Sequence, residues 1–592
     1  MHRREWLKGA AAVSLGTALP AVAAPVRRMR PGDAAWPSSG AWEGLGRAVG
    51  GRLIKPVSLT APCEADAHGA ACAERLKDLA NPFFIGDQAG GTQVSGWLDA
   101  WSPKLSAYAV EARDAADVVA AVNFARSHNL RLVVKGGGHS YQGGSNAPDS
   151  LLVWTRAMNA ITVHDAFTPK GTAGPAVQAV SIGAGAMWVD AYDAVTTRAG
   201  RYVQGGGCAT VGVAGLTLGG GFGSFSKQYG TAAASLLEAE IVTADGAVRI
   251  VNAANHPDLF WALKGGGQSA FGVVTRLTLQ THALADLAGG CGGGISATNE
   301  AAFRRAVHAF VETYAERLNN PHWGESVRIT RSNRIEFNMV FQGLTSKEAT
   351  DAWRPLIDWA AAAGPDIKLD GPHLAAQPMR EWWDFAAAAK THAPWVRPDT
   401  RPGAPPHHAW WSGDSGQVSA FLYAYDSLWL PNRLLGPDDR GHLADALFEA
   451  SRQFNIELHF NKGLGGGAPA AVAHSAATAT NPAVLDAFAL AIIATGGLPN
   501  YPPYPPTDLA EARREAARID AATAKLRPLA PAGGSYVSES NYFNPRWREA
   551  FWGPHYARLA AVKARYDPAG LFVMHHGVGS EAWSADGFTR LG

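Results

Sequence analysis

Two loops of this sequence set a reactive side chain inside a glycine run. In Leu132-Val-Val-Lys-Gly-Gly-Gly-His-Ser-Tyr141 it is the imidazole of His139, and in Gly205-Gly-Gly-Cys-Ala-Thr-Val-Gly212 it is the thiol of Cys208. A third cluster, Gly219-Gly-Gly-Phe-Gly223, follows. Glycine between a strand and a helix lets several backbone N–H groups aim at one phosphate, because no side chain blocks the approach. Three clusters are more than one phosphate needs, so they must serve a longer ligand. Nucleoside triphosphate chemistry has no support, since no P-loop lysine follows any of the runs. Gly219-Gly-Gly-Phe-Gly-Ser224 half-matches the dinucleotide fingerprint and Glu240 follows where a ribose contact could stand, but Ser224 replaces the third glycine and the surrounding βαβ pattern is poor. Taken singly, His139 reads as a loop histidine bonded to backbone and Cys208 as a buried, inert thiol.

The elements that must position these loops are legible from periodicity. Asp114 is an N-cap for a helical pattern running to about Asn129; Leu130 to Val134 reads as a buried strand ending at the His139 loop. Val177 to Ile182 reads as a second strand, followed by a helix from about Met187 to Ala199 that leads to the Cys208 loop. Alternation of helices and strands continues to Thr278, so residues 97–285 form one α+β unit. The run Leu287-Ala-Gly-Gly-Cys-Gly-Gly-Gly-Ile-Ser296 marks a composition shift and a domain boundary. Beyond it, residues 286–535 carry strand patterns at Ser326 to Phe341 and Phe421 to Leu430 and a helix at Asp508 to Lys525: an antiparallel sheet covered by helices. Ile456-Glu-Leu-His-Phe-Asn461 alternates strictly, which as a strand sets Glu457, His459 and Asn461 on one face. Pro-rich Leu498 to Pro506 is an irregular surface loop, and Arg27 to Ser39 reads as a linker.

Composition narrows the partners. Lys+Arg total 52 against Asp+Glu 51, so no single-sign field is available to hold nucleic acid. Hydrophobic residues at 47% with 17% charged exclude disorder for most of the length. The 66 Gly and 20 Trp favour a planar or ring-shaped ligand, through close backbone approach and broad apolar faces.

The first 23 residues run from Arg3-Arg4 through a short apolar stretch to Ala21-Val-Ala23, the order of a cleaved signal, and resemble a twin-arginine type. Export by the twin-arginine machinery to the periplasm or outside the cell is therefore expected, with no membrane span in the mature protein. Residues 24–96 form an N-terminal extension in which Cys63 and Cys72 can pair in an oxidising compartment. Neither a CxxC spacing nor a zinc-type His pair accompanies them, so no metal site is expected.

The motifs around His139 and Cys208, with His256-Pro-Asp-Leu-Phe-Trp-Ala-Leu-Lys-Gly-Gly-Gly267 and the C-terminal Tyr556-Ala-Arg-Leu-Ala-Ala-Val-Lys-Ala-Arg-Tyr-Asp-Pro-Ala-Gly-Leu-Phe572, resemble the berberine-bridge-enzyme-like branch of the vanillyl-alcohol-oxidase flavoproteins. The N-terminal region and His575-His-Gly-Val-Gly-Ser580 further resemble fungal secreted, isoamyl-alcohol-oxidase-like members. The resemblance implies a PCMH-type FAD-binding domain, a second, substrate-binding domain, and a C-terminal segment, residues 536–592, returning to complete the FAD site. It implies FAD bonded through His139 to the 8α-methyl and through Cys208 to C6. Gly136, Gly137, Gly138, Ser140 and Tyr141 would cradle the pyrophosphate, with Gly212, Gly219, Gly220 and Gly272 close by. Val211 matches the oxygen-gating position, where valine accompanies oxidases. Leu216, Ala234-Ser235 and Tyr536-Val-Ser538-Glu539 depart from the family's pattern. The last of these lacks an amide for the flavin pyrimidine edge, which Asn541 is the nearest residue to replace.

Oxidising an alcohol needs a hydride acceptor and a base for the hydroxyl proton. The candidates are Glu457, His459, Tyr536 and Glu539, each of which also fits a solvated strand face or surface pair. Trp382, Trp383, Trp410 and Trp411 fit an aromatic pocket or plain core equally well. The expected function is an FAD oxidase acting on a small alcohol or sugar, with dioxygen as electron acceptor and hydrogen peroxide as product. A dehydrogenase using a quinone or protein acceptor, or a non-catalytic binding protein on the same fold, are the alternatives; colour and peroxide release separate them.

Overall fold

A computed structural model describes residues 27–591, arranged around three main sheets. The signal-like residues 1–23 lie outside the described residues. In the first sheet, Tyr108–Glu111, Ser150–Trp154 and Arg131–Lys135 run parallel, and Leu53–Ile54 adds an antiparallel edge. The helix Ala115–Ser127 covers it: the Asp114 carboxylate caps its start by accepting from Asp117 N at 3.0 Å, and Val118, Ala121, Val122 and Ala125 form its buried face. Burying each valine contributes roughly 1.5–3 kcal/mol. The second sheet is antiparallel, with Val273–Ala283 flanked by Val177–Gly183 and Leu236–Val242. The two sheets form the α+β unit and hold the glycine loops at their edges.

The third sheet is seven-stranded and antiparallel throughout, with the helices Glu300–Thr313, Ser346–Ala362, Arg440–Gln453 and Leu509–Leu526 packed on it. The glycine run lies where the chain passes from the second sheet to the third, and it is itself a strand: Leu287–Ala297 is paired on both sides so that Cys291 lies opposite Met339 and Leu374. Its glycines make room for neighbours. A Cβ on Gly289 would lie 2.3 Å from the Phe341 ring, and one on Gly290 3.3 Å from Trp382. The expected single strand Ser326 to Phe341 is a hairpin, Trp323–Ile329 and Arg334–Gln342. The helix expected over 187–199 is α-helical only for Trp188–Tyr192 and then widens to a π-helix through Arg198.

The proposed linker is also corrected. Arg27 bridges to Thr589, and buried Arg28 donates to the carbonyls of Gly570 and Leu571, so this stretch straps the C-terminal segment in place. That segment returns to the first sheet, where Phe572 bridges Leu132 beside the His139 loop. Cys63 and Cys72 are joined as a disulfide.

Candidate functional site

A cavity of about 1440 Å³ lies between the first two sheets and the third. Pockets for drug-sized ligands run to roughly 1,000 Å³, so it has room for a dinucleotide and a second, smaller molecule. His139 stands where the strand Arg131–Lys135 ends, and Cys208 on the loop after Arg201–Val203. These loops are 71 residues apart in sequence yet back to back: His139 Nε2 lies 3.0 Å from Thr210 Oγ1. A Cβ on Gly137 would lie 2.8 Å from the Thr210 carbonyl oxygen, so only glycine permits this approach. Gly138 has a φ of +82°, a conformation other residues adopt at a cost. Gly136, Ser140, Tyr141, Val211, Gly212 and Gly272 line the same cavity.

Gly219, Gly220 and Asn541 are corrections, because none of them reaches the cavity wall. Gly219 packs against Ser538 and Gly220 against Thr480, and the Asn541 side chain accepts from Phe543 N at 2.9 Å within its own turn. Gly219 and Gly220 thus make room for Ser538 and Thr480, while Gly221 packs against Leu216 and Ala232, and Gly223 against Gly205.

Burial removes water from the imidazole and lowers the His139 pKa to about 4, with the bond at Thr210 opposing only in part. The ring is thus neutral at pH 7 and keeps a lone pair for bonding. The Cys208 thiol is pushed upward, first by burial and then by the nearby Asp414 carboxyl. Lys135, just before the glycines, is spent on structure: its ammonium donates to the carbonyls of Gln88, Ala89 and Gly91, fixing that loop beneath the His139 turn.

The opposite wall comes from the third sheet. The strand Ile456–His459 ends one turn earlier than the alternation suggests, with Phe460–Lys462 as a 3-10 turn, yet Glu457, His459 and Asn461 all face the cavity. Ser326 Oγ donates to Glu457 Oε1 at 2.7 Å and His459 Nε2 lies 3.3 Å from the same oxygen. Burial raises the Glu457 pKa, but His459, Ser326 and Lys462 together outweigh it and hold the carboxyl below its usual range. His459 Nδ1 is buried with no partner among the described residues. Glu539 is taken up by Lys462, whose Nζ lies 2.6 and 2.8 Å from its two oxygens. Tyr536 lines the cavity, edge-on to Phe222 at 5.0 Å, and burial pushes its phenol upward.

Trp382, Trp383, Trp410 and Trp411 all line the cavity, joined by Trp395, which is 43% exposed. Trp383 and Trp410 are at the same time core residues, so both sequence readings of the tryptophans hold. Sequence reasoning missed Trp395, Glu325, Lys462 and Asp414. Lys462 could have been found by following the alternating strand one turn further; Asp414, in the turn Ser412–Gln417, has no periodic pattern around it. It also missed a cluster outside the cavity wall. His407 and His408 Nε2 lie 3.1 and 2.9 Å from one oxygen of Asp190, a set of three groups that could ligate a metal, built from residues more than 200 positions apart. As hydrogen-bonded, the three clip the segment carrying Trp410 and Trp411 to the helix before the Cys208 loop.

The residues fit FAD. Glycine backbone without room for side chains adjoins a neutral imidazole and a thiol, and buried atoms without partners among the described residues, His459 Nδ1, Asn461 Oδ1 and Asp414 Oδ2, belong to residues of the same cavity wall.

The pattern of the FAD binding domain matches residues 106–252 and that of the berberine and berberine-like domain residues 535–579. A VAO-type flavoprotein oxidase of Thermothelomyces thermophilus is 29% identical over 96% of this chain and 95% of its own length. The crystal structure of the VAO-type flavoprotein MtVAO615 from Myceliophthora thermophila superposes with a TM-score of 0.78 at 27% identity, covering 95% of this chain and 100% of that one. The glucooligosaccharide oxidase of Acremonium strictum, which carries a 6-S-cysteinyl, 8α-N1-histidyl FAD, shares the fold with a TM-score of 0.62 at 20% identity over 84% of this chain and 95% of that one.

Proposed function

We propose, from the matched FAD-binding and berberine-like patterns and the VAO-type relatives, that the chain is an FAD-linked oxidoreductase of the vanillyl-alcohol-oxidase and berberine-like type, an oxidase acting on the carbinol carbon of a small alcohol or sugar. Bound in the cavity, FAD supplies a two-electron acceptor that takes a hydride and returns the electrons to dioxygen as hydrogen peroxide.

His139 and Cys208 hold the isoalloxazine ring covalently, as the two linked residues do in the Acremonium enzyme. The glycine turn from Gly136 to Gly138, with Ser140 and Tyr141, receives the pyrophosphate. Val211, in the same cavity wall, would leave dioxygen access to a flavin bound there.

His459 takes the substrate's hydroxyl proton at Nδ1. The observation that carries this is the dyad itself: Nε2 faces Glu457 Oε1 at 3.3 Å while Nδ1 is buried, unpartnered and in the wall of the cavity that holds His139 and Cys208. Glu457, kept ionised by its neighbours, fixes the tautomer and stabilises the imidazolium that forms, the division of labour of a carboxylate–histidine pair. Glu539 is less suited, because Lys462 already neutralises it, and buried Tyr536 resists ionisation. The tryptophans at the mouth offer apolar faces on which a sugar ring or a short alkyl chain can lie. Sugars enter as a class because the Acremonium oxidase is named for one.

The Cys63–Cys72 disulfide supports an oxidising compartment, in keeping with twin-arginine export to the periplasm or beyond. Oxygen uptake with a panel of primary alcohols, aldoses, oligosaccharides and phenols tests the proposal. Turnover with stoichiometric peroxide supports it, and reduction of the flavin by substrate without oxygen consumption would assign a dehydrogenase instead. Among the described residues, no helix is long and apolar enough to cross a membrane.

A further inference from the structure

We propose that Asp414 is the proton acceptor that makes the Cys208 thiol nucleophilic for its bond to the flavin ring. This rests on the doubly linked reading above and adds the group that makes the second link possible.

The geometry begins with the turn Ser412–Gln417. Trp411 Nε1 donates to the carbonyl of Gly207 at 2.9 Å, which fastens the start of this turn to the residue next to Cys208. Trp410 Nε1 donates to Ser415 Oγ at 3.1 Å and holds the turn's far side. Between these anchors the Asp414 carboxyl and the Cys208 thiol line the same cavity, near enough for each to act on the other's titration. Asp414 Oδ2 is buried and, among the described residues, no N–H or O–H group satisfies it. A carboxyl oxygen left bare in a buried place weakens the fold and, until a ligand fills the cavity, has no structural return. Beside a thiol that must lose its proton, it has a chemical one.

Cys208 needs such help. Its surroundings favour the neutral thiol, through burial and through the carboxylates of Asp414 and Glu539. The cation that acts on it, Lys462, is already committed to Glu539. Asp414 is better matched than an ordinary carboxylate: burial, and then Glu325 across the cavity, raise its pKa to about 6 against the pull of the thiol. It is therefore ionised at neutral pH and close enough to that pH to accept a proton effectively.

The S–H bond of Cys208 breaks and its proton goes to Asp414. A bond forms between sulfur and C6, the hydrogen on C6 leaves as a proton, and two electrons pass to dioxygen. One thiol, one flavin and one dioxygen give one thioether-linked flavin and one hydrogen peroxide.

The test uses the full chain purified with its own flavin, as wild type, Asp414→Asn and Asp414→Glu. Peptide mapping by mass spectrometry reads the flavin on the His139 and Cys208 peptides separately, and alkylation after denaturation counts free Cys208. The proposal expects Asp414→Asn to keep the His139 link, which also reports that it folds, while the Cys208 adduct falls at least about tenfold. Asp414→Glu should restore part of it. Full modification of Cys208 in Asp414→Asn overturns the proposal. A wild-type chain whose Cys208 is unmodified overturns the doubly linked reading, and this inference with it. If Asp414→Asn does not fold, the rate at which FAD adds to Cys208 of the flavin-free wild-type chain decides: it should fall about tenfold per pH unit below pH 6, as Asp414 protonates. A rate unchanged down to pH 5 overturns the proposal.

Discussion

Gly137→Ala probes the claim that the two tether loops are built against each other. The added Cβ would sit 2.8 Å from the Thr210 carbonyl oxygen and 3.4 Å from Gly212 N. Relief requires the loops to part by roughly half an ångström, and they are not free to do so. Trp188 N donates to Val211 O at 3.1 Å, Val213 N to Ala186 O at 3.0 Å, and Met187 bridges Gly212, so the Cys208 loop is bonded along its length. Forcing extra volume into such a place costs about 1–3 kcal/mol. At about 2.1 cal/mol/K of unfolding entropy per residue, each kcal/mol lowers the Tm of a chain of 592 residues by about 0.8 °C, so a loss of about 1–2 °C is expected. Gly136→Ala is the internal control: its Cβ would meet nothing closer than the Ala184 carbonyl oxygen at 3.4 Å, and its φ is not in the left-handed region. Calorimetry of wild type and both variants, with peptide mapping of the flavin links, reads the result. Gly137→Ala should fall below Gly136→Ala in Tm and carry less flavin on both His139 and Cys208. Equal Tm and equal flavin loading in the two variants would refute the back-to-back arrangement.

Two further outcomes follow from the same site. In the flavin-free chain His139 titrates near 4 when folded and about 6.5 when unfolded, so between those values the unfolded state binds the extra proton and stability rises with pH. The contribution is complete above pH 6.5 and lost progressively toward pH 4, up to about 3 kcal/mol. Urea titrations at pH 4.5 and 7 should show it in wild type and a flatter profile in His139→Asn. At the other wall, His459→Ala should lower kcat by about 10²–10⁴ with rapid reaction flavin reduction slowed in proportion, while Glu457→Gln should lower it less and shift the pH profile. Unchanged flavin reduction in His459→Ala would leave the dyad without a role.

Local pattern carried much of this architecture. The Asp114 cap, the strand leading to His139 and the alternation at Glu457 and His459 are short-range signals, and periodicity finds them because each element buries one face. The site's second half was illegible for physical reasons. Leu287–Ala297 does not read as a strand because glycine has low strand propensity, and the choice of glycine is explained by what packs against it, the carbonyl oxygens of Ala375, Asp370 and Ile335 and the rings of Phe341 and Trp382. Gly219 and Gly220 look like a phosphate loop in sequence because a glycine admits a ligand and a neighbouring chain alike; here the neighbours are Ser538 and Thr480. Asp414 and the Asp190, His407 and His408 cluster are assembled by tertiary contacts across more than 200 residues, which no window along the chain reports.

The central claim, a flavin held by one imidazole and one thiol, is tested most directly by the intact mass of the denatured, acid-precipitated protein. The account predicts a yellow pellet and a single species heavier by one FAD less the four hydrogens lost in forming two bonds. A colourless pellet with the mass of the bare polypeptide would contradict it.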